Sequence, residues 1–203
     1  MTTMGRLSLG AMVIALTVLL GGAGGAVAGP LDTPGYAKAF ACSACHGFGG
    51  ASRSDTIPVL AGMPAWYLKK AIEDYASGKR PAAEMEPYAK MVKELGVDDV
   101  AGYFAAQKKA ATPLTPDAAG VARGRAAAAP CVACHGPAGK GDPAKGVPDL
   151  TGQPAGYLLN QMLLFKADRR SPGDATLRDL KAAIRPIPEA TLADLAAYYS
   201  SLK

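Results

Sequence analysis

Histidine and cysteine are scarce in this chain of 203 residues, which has two histidines and four cysteines. All six lie in two copies of one pentapeptide, Cys42–His46 and Cys131–His135. This scarcity argues against a closed zinc site, because one copy of the motif supplies only three of the four ligands that zinc needs. A redox dithiol is also a poor explanation, because it does not need the histidine. Disulfides are a further alternative. Two thiols three residues apart can bond covalently to one porphyrin while the next imidazole ligates its iron. The pattern therefore predicts two covalently bound haem c groups, held by Cys42, Cys45, Cys131 and Cys134, with His46 and His135 as iron ligands.

A long apolar run is also missing. The apolar stretch Ala11–Leu20 follows Arg6 and is interrupted at once by glycines, so it falls short of the roughly 20 residues that a membrane-spanning helix needs. Small residues then lead to Ala26-Val27-Ala28, an Ala-Xaa-Ala cleavage signal. The N-terminus therefore predicts a cleaved signal peptide, residues 1–28, and a periplasmic protein. An uncleaved membrane anchor is the alternative.

The chain has no stripe of basic residues. Its formal charge is +5, and removal of residues 1–28, which contain one arginine and no acid, lowers it to +4. Lysines and arginines are scattered among acids, so we expect no nucleic-acid partner. Four propionates on two haems would bring the holoprotein close to neutrality.

No segment alternates between apolar and polar residues as a strand would, whereas helical periodicity is common. Leu68, Ala71, Ile72 and Tyr75 form one apolar stripe between Pro64 and Gly78, and Leu158, Gln161, Met162 and Phe165 repeat it. A terminal helix is expected with Asp98 and Asp99 near its start and Lys108 and Lys109 near its end, and its counterpart begins near Pro188 and Glu189. The fold class is therefore predicted to be all-α.

An internal repeat indicates two domains. Cys42 and Cys131 differ by 89 positions, Tyr67 and Tyr157 by 90, Arg80 and Arg170 by 90, and Tyr103 and Tyr198 by 95. A period this long, present twice, favours a duplication over a solenoid. We predict domain 1 at 29–109, a proline-containing linker at 110–116 and domain 2 at 117–203.

The chain resembles the two-domain dihaem cytochromes c of the cytochrome c4 type. The resemblance rests on the two haem motifs, the runs 58–62 and 148–152, Gly78-Lys79-Arg80, Met85-Glu86-Pro87 and the two closing aromatic helices. It implies two tandem class I cytochrome c domains, each a small helical bundle around one haem, and an electron-transfer function. It also implies that the carbonyls of Pro58 and Pro148 accept a hydrogen bond from the iron-ligating imidazoles.

The second iron ligand of haem 1, the haem of the first motif, is expected to be Met85. The family pattern places a thioether at this position, and such His/Met ligation is associated with electron transfer. Met91 is the competitor, but with Tyr88, Val92 and Leu95 it forms a helical stripe that suits the core better. Met63 is a third candidate.

Haem 2 lacks an equivalent ligand. Depending on the offset used, the position of Met85 corresponds to Ala175, Leu177 or Leu180, none of which binds iron. The sixth position is then vacant or water-bound, taken by Met162 after rearrangement, or filled by an unusual donor such as Lys181, Lys166 or a tyrosine. Arg178 or Arg185 could supply a distal hydrogen-bond donor, although a solvated arginine is the more ordinary interpretation.

The expected function is periplasmic electron transfer, by a free carrier or by the dihaem subunit of a dehydrogenase or oxidase complex. Its redox partners would be a membrane quinol-oxidising complex, a terminal oxidase or a dehydrogenase, with peripheral membrane association possible through a partner. The alternatives are an enzyme or small-ligand sensor acting at an open haem 2, or a haem 2 that only stabilises its domain. An enzymatic activity is the less favoured reading.

Overall fold

The computed structural model describes residue 32 and residues 34–203, so the predicted signal peptide, residues 1–28, lies outside the described residues. Within this part of the chain the regular structure is helical, and the one β-bridge joins Asp142 and Val147 without forming a strand. No helix of the described chain is long and apolar enough to cross a membrane. The predicted all-α class is confirmed.

The first half of the described chain contains five α-helices: α1 (Tyr36–Ala39), α2 (Ser43–His46), α3 (Ala65–Ala76), α4 (Glu86–Leu95) and α5 (Val97–Ala106). Helix α3 packs against both α4 and α5, and α1 contacts α5. Pro64 precedes α3, and Gly78 follows it with a φ of +74°, a conformation typical of helix ends. The predicted helix between Pro64 and Gly78 is confirmed, with Leu68 and Tyr75 buried.

The second half repeats this arrangement with α6 (Ala118–Ala127), α7 (Ala129–His135), α8 (Ala155–Lys166), α9 (Arg178–Ile184) and α10 (Glu189–Ser201). Helix α10 packs along α6 and α8. It begins after Pro188, as predicted, and buries Leu192, Leu195 and Tyr199. Each half has its own apolar core, centred on α3 and α5 in the first and on α8 and α10 in the second.

The helices α6 and α10 cross in close contact at Gly124. A Cβ atom at this position would lie 2.0 Å from the backbone oxygen of Asp194 and 2.8 Å from Cβ of Tyr198. The guanidinium of Arg123 also donates two hydrogen bonds of 2.8 Å to the carboxylate of Asp194. The absence of a side chain at Gly124 therefore sets how closely the first and last helices of this half approach.

The first terminal helix ends shortly before the two lysines that were expected near its end. Helix α5 stops at Ala106, and Gln107 has an extended backbone, so Lys108 and Lys109 lie beyond the helix. Lys109 forms an ion pair with Asp149 and donates a 3.0 Å hydrogen bond to Thr151 in the second half. The charge pattern suggested favourable placement at a helix terminus, but the lysine contributes to a contact between the halves instead.

Candidate haem-binding sites

Both Cys-Xaa-Xaa-Cys-His motifs lie on short helical turns. Ser43–His46 form α2, directly after a 3₁₀ turn that ends at Cys42, and Cys131–His135 form the end of α7. Residues three and four apart lie on one face of a helical turn, so each motif presents its two thiols and its imidazole together. All four thiols are free, so the structure does not form the alternative disulfides.

Each imidazole is held by a carbonyl oxygen from the same half of the chain. Nδ1 of His46 lies 2.9 Å from the oxygen of Pro58, and Nδ1 of His135 lies 3.0 Å from the oxygen of Pro148. A carbonyl only accepts, so Nδ1 carries the proton in both rings and Nε2 is left available to ligate a metal. The two hydrogen bonds expected from the family resemblance are confirmed.

Burial favours the neutral form of both imidazoles. Burial lowers the pKa of His46 and of His135, and the hydrogen bond to the proline carbonyl offsets only part of this effect. Neutral imidazole is the form that ligates a metal. Free thiols beside an oriented, neutral imidazole are the donor set that a covalent haem c requires, whereas the described residues contain no cluster of three or more potential metal ligands.

Comparisons with known proteins agree with this site. The family model for cytochrome c matches residues 35–108 and 121–203. The chain belongs to the cytochrome c family. It is 31% identical to cytochrome c4 of Pseudomonas aeruginosa over 200 residues, which cover 94% of this chain and 98% of that protein. Over 149 residues it is 34% identical to a thiosulfate dehydrogenase electron acceptor of Stutzerimonas stutzeri, covering 65% of this chain and 66% of that protein.

The crystal structure of reduced cytochrome c4 from Pseudomonas stutzeri superimposes with a TM-score of 0.73 at 28% identity, covering 83% of this chain and 97% of that chain. The protein is thus a dihaem electron-transfer cytochrome of the cytochrome c4 type, with two tandem cytochrome c domains and two covalently bound haem c groups. When bound, each haem supplies a one-electron iron couple. The predicted family, fold class, cofactors and electron-transfer role are confirmed.

In cytochrome domain 1, Met85 lies at the N-cap of α4 and is half-buried. It is four residues before Ala89 and seven before Val92, the two buried residues of α4, so all three share one face of the helix. The sequence-based placement of Met91 in the core is wrong, since Met91 is 37% exposed and its stripe neighbours Tyr88 and Leu95 are also exposed. Met63 is buried, and its sulfur lies 3.4 Å from Nε2 of Gln153.

Cytochrome domain 2 has the same arrangement of helices but a different residue. Leu177 is the N-cap of α9, as Met85 is of α4. The buried residues of α9 are Lys181 and Ile184, again four and seven positions later. The structural offset in this region is therefore 92, and Leu177, rather than Ala175 or Leu180, is the counterpart of Met85.

The other donors considered for haem 2 have different contacts. The amine of Lys181 is bound by Asp168 at 2.5 Å and by the carbonyl of Ser171 at 2.6 Å. The amine of Lys166 donates to the carbonyls of Arg185 and Ile187. Met162 packs against the core of domain 2. Ligation of the iron by any of the three would require these contacts to break.

Arg178 and Arg185 are both exposed. They lie beside Lys181 along an open surface cleft of about 430 Å³ that Asp168 and Asp174 also line. This mixture of charges in an open cleft agrees with solvated arginines.

A buried polar cluster joins the two domains, and sequence analysis missed its role. Arg80 donates from Nη2 to the hydroxyl of Tyr157 at 2.6 Å and from Nε to Oε1 of Gln161 at 2.9 Å. Arg170 donates to the same amide oxygen at 2.8 Å, and its other terminal nitrogen lies 3.5 Å from the hydroxyl of Tyr67. The internal repeat makes Arg80 equivalent to Arg170 and Tyr67 equivalent to Tyr157. These equivalent residues meet at the interface between the domains, so their equal spacing was the sequence signal that could have indicated it.

The cluster is electropositive. Arg80 is almost completely buried, and Nε of Arg170 is a buried donor without a hydrogen-bond partner in the described part of the chain. Burial alone would raise the pKa of Tyr67, but the charges of Arg80 and Arg170 outweigh burial and hold that pKa at about 7. The interface between the domains therefore favours negative charge.

Proposed function

We propose that this cytochrome is a periplasmic electron carrier with two unequal haems. His46 and Met85 ligate the iron of haem 1, whereas His135 alone ligates the iron of haem 2. The observation that carries this proposal is the matching position of Met85 and Leu177, each the N-cap of the helix that follows. A leucine has no atom that can bind iron, so the distal position of haem 2 receives no protein ligand from this place in the fold.

The ligation of haem 1 by Met85 is supported by the burial pattern of α4. Met85 shares the inward face with Ala89 and Val92, whereas Met91 points to the opposite side and is exposed. A thioether opposite a histidine raises the reduction potential of a haem. Haem 1 should therefore have the higher potential, and an electron that enters either domain should rest there.

We further propose a periplasmic location and a division into two domains joined by a linker. The leader with an Ala-Xaa-Ala site supports export to the periplasm. The lack of a helix between Ala106 and Ala118 supports the division into domain 1 at 29–109, a linker at 110–116 and domain 2 at 117–203.

A dehydrogenase is the favoured electron donor, since one relative is described as a thiosulfate dehydrogenase electron acceptor. A quinol-oxidising complex as donor and a terminal oxidase as acceptor fit the same role.

Binding of a small neutral ligand at haem 2 is the second candidate function. It is favoured by the apolar residue at the counterpart of Met85, which leaves the iron open but supplies no acid or base for further chemistry. The exposed positions of Arg178 and Arg185 do not support a distal catalytic donor.

Ligand binding by the full dihaem protein tests the proposal. Carbon monoxide is added to the reduced protein and cyanide to the oxidised protein, and paramagnetic resonance records the spin state of each haem. We expect one haem to bind both ligands readily while the other stays low-spin and unreactive. If both haems are low-spin and bind neither ligand, haem 2 has a sixth ligand, and the proposal that the two haems differ in ligation is wrong.

A further inference from the structure

One side chain of domain 2, that of Gln153, contacts the loop of domain 1 that contains Pro58 and Val59. The amide of Gln153 forms two hydrogen bonds with the backbone of Val59: Oε1 accepts from the Val59 N–H at 3.0 Å, and Nε2 donates to the Val59 oxygen at 2.8 Å. Gln153 is 5% exposed and Val59 is 1% exposed. Paired hydrogen bonds between a side-chain amide and a buried backbone peptide fix the geometry of both groups.

The peptide that Gln153 contacts is the same peptide that holds the proximal histidine. The Val59 N–H and the Pro58 carbonyl belong to one amide group, and that carbonyl accepts the 2.9 Å hydrogen bond from Nδ1 of His46. The three groups therefore form a continuous chain, from the imidazole through the peptide to the side-chain amide. Hydrogen bonds in such a chain polarise one another, so an acceptor at the N–H end strengthens the bond at the carbonyl end.

Domain 2 lacks a matching arrangement. The peptide that holds His135 joins Pro148 to Asp149, and the repeat places Met63 at the position equivalent to Gln153. A thioether is only a weak acceptor and cannot form the paired hydrogen bonds of an amide. The carboxylate of Asp149 instead pairs with Lys109 and accepts from the Thr151 N–H at 2.8 Å. Domain 1 thus contacts this loop of domain 2 through the side chain of Lys109, whereas only in domain 1 does a side chain of the opposite domain bind the peptide that holds the histidine.

We propose that Gln153 is a positioning residue for haem 1, acting from domain 2 on the basicity of His46. By strengthening the Nδ1–H···O bond, Gln153 increases electron donation from the imidazole to the iron, which stabilises the oxidised state. The potential of haem 1 is thereby linked to the docking of domain 2. This inference rests on the proposed function only in taking His46 as the proximal ligand of haem 1.

The test uses Gln153→Met in the full dihaem protein, which installs the residue found at the equivalent position of domain 1. Potentiometric titration followed by optical and paramagnetic resonance spectra should show a rise in the potential of haem 1 and no shift for haem 2. The amide hydrogen of Val59 should exchange faster by at least about fivefold, because it loses a buried acceptor. The nuclear magnetic resonance signals of the His46 ring should also shift.

Gln161→Met is the matched control, since Gln161 is a buried glutamine of the same interface that contacts Arg80 and Arg170. It should leave the difference between the two potentials unchanged. A Gln153→Met variant in which Val59 exchanges faster but haem 1 keeps its potential and its His46 signals would overturn the inference. An equal shift of haem 1 in both variants would also overturn it, because general loosening of the interface would then be the cause.

A measurement on the unaltered protein keeps the inference testable if Gln153→Met does not fold. Exchange of the Val59 amide should be slow, and a scalar coupling through its hydrogen bond to the Gln153 side chain should be present in the reduced protein. Absence of both would refute the contact itself. Carbon monoxide binding depends on the distal side, so failure of this inference would leave the ligand-binding asymmetry of the proposed function intact.

Discussion

The two domains share their helices but differ at three equivalent positions. Met85 and Ala89 of α4 correspond to Leu177 and Lys181 of α9, and Met63 corresponds to Gln153. Both proximal sides keep the same imidazole-to-proline hydrogen bond. The two domains therefore keep the haem motif and the hydrogen bond of its histidine, whereas the residues at the N-caps of α4 and α9 and at the interface differ. Under the proposed ligation, the number of haems and the role of each haem are determined by separate residues.

Met85→Leu should remove the difference between the domains and have the largest effect. Without its proposed thioether ligand, haem 1 should bind carbon monoxide, and its potential should fall by on the order of 0.1–0.3 V, part of the roughly 0.8 V range that axial ligands span. Spectroelectrochemistry measures the shift. Met91→Leu is the control and should change neither property, because Met91 is exposed. Ligand binding in the control but not in Met85→Leu would assign Met91 as the ligand.

Leu177→Met should remove the difference in the other direction. A thioether at the N-cap of α9 should occupy the open position, so haem 2 should lose carbon monoxide binding and its potential should rise. Leu180→Met, three residues later on the same helix, should not do so. If haem 2 of the unaltered protein already has a donor such as Lys181 or Met162, Leu177→Met will leave ligand binding unchanged.

Gly124→Ala should test how strongly domain 2 depends on the close crossing of α6 and α10. The added Cβ would overlap the backbone of Asp194, and overpacking of this kind costs about 3 kcal/mol in the free energy of unfolding. Gly102→Ala in α5 is the control, since nothing lies within 4 Å of its added Cβ. That change should stabilise domain 1 by about 0.5–1 kcal/mol. Denaturant unfolding monitored at each haem resolves the two effects, and equal effects would contradict the close crossing.

Lys181→Ala should have the smallest effect, confined to domain 2. It leaves the Ser171 carbonyl without its charged donor and should destabilise domain 2 by about 1–2 kcal/mol in the same unfolding experiment. Lys145→Ala, which removes a solvent-exposed ion pair with Asp142, is the control and should have a smaller effect on unfolding than Lys181→Ala. Appearance of carbon monoxide binding only after Lys181→Ala would show that this lysine ligates haem 2.

Much of the molecule could be predicted because covalent motifs and helix periodicity are local signals. The attachment of two haems follows from Cys42–His46 and Cys131–His135, and the helices around Leu68 and Leu192 follow from spacing alone. The stripe that contains Met91 led to the wrong prediction that Met91 is buried, because exposed and buried stripes on a short helix have similar periodicity. The sequence left open whether Ala175, Leu177 or Leu180 is equivalent to Met85. Only the start of α9 in the structure decides this, because the insertions in domain 2 hide it in the sequence.

Contacts between the domains could not be predicted in this way. Gln153 and Val59 are 94 residues apart, and nothing in the local sequence of either one specifies the partner. The role of Lys109 was misjudged for the same reason, since a lysine after a helix can complement the helix dipole or reach another domain. Which faces meet is decided by the tertiary packing of both units together.

The N-terminus of α8 is completed by residues of domain 1. Asp55 accepts the Gly156 N–H through its side chain at 3.0 Å and the Tyr157 N–H through its backbone oxygen at 2.9 Å. Pro154, the N-cap residue of α8, provides no side-chain cap of its own. The two domains are therefore not structurally independent. A chain reduced to domain 2 would leave the Gly156 and Tyr157 N–H groups without these two acceptors, and we expect it to be less stable than domain 2 is in the intact protein.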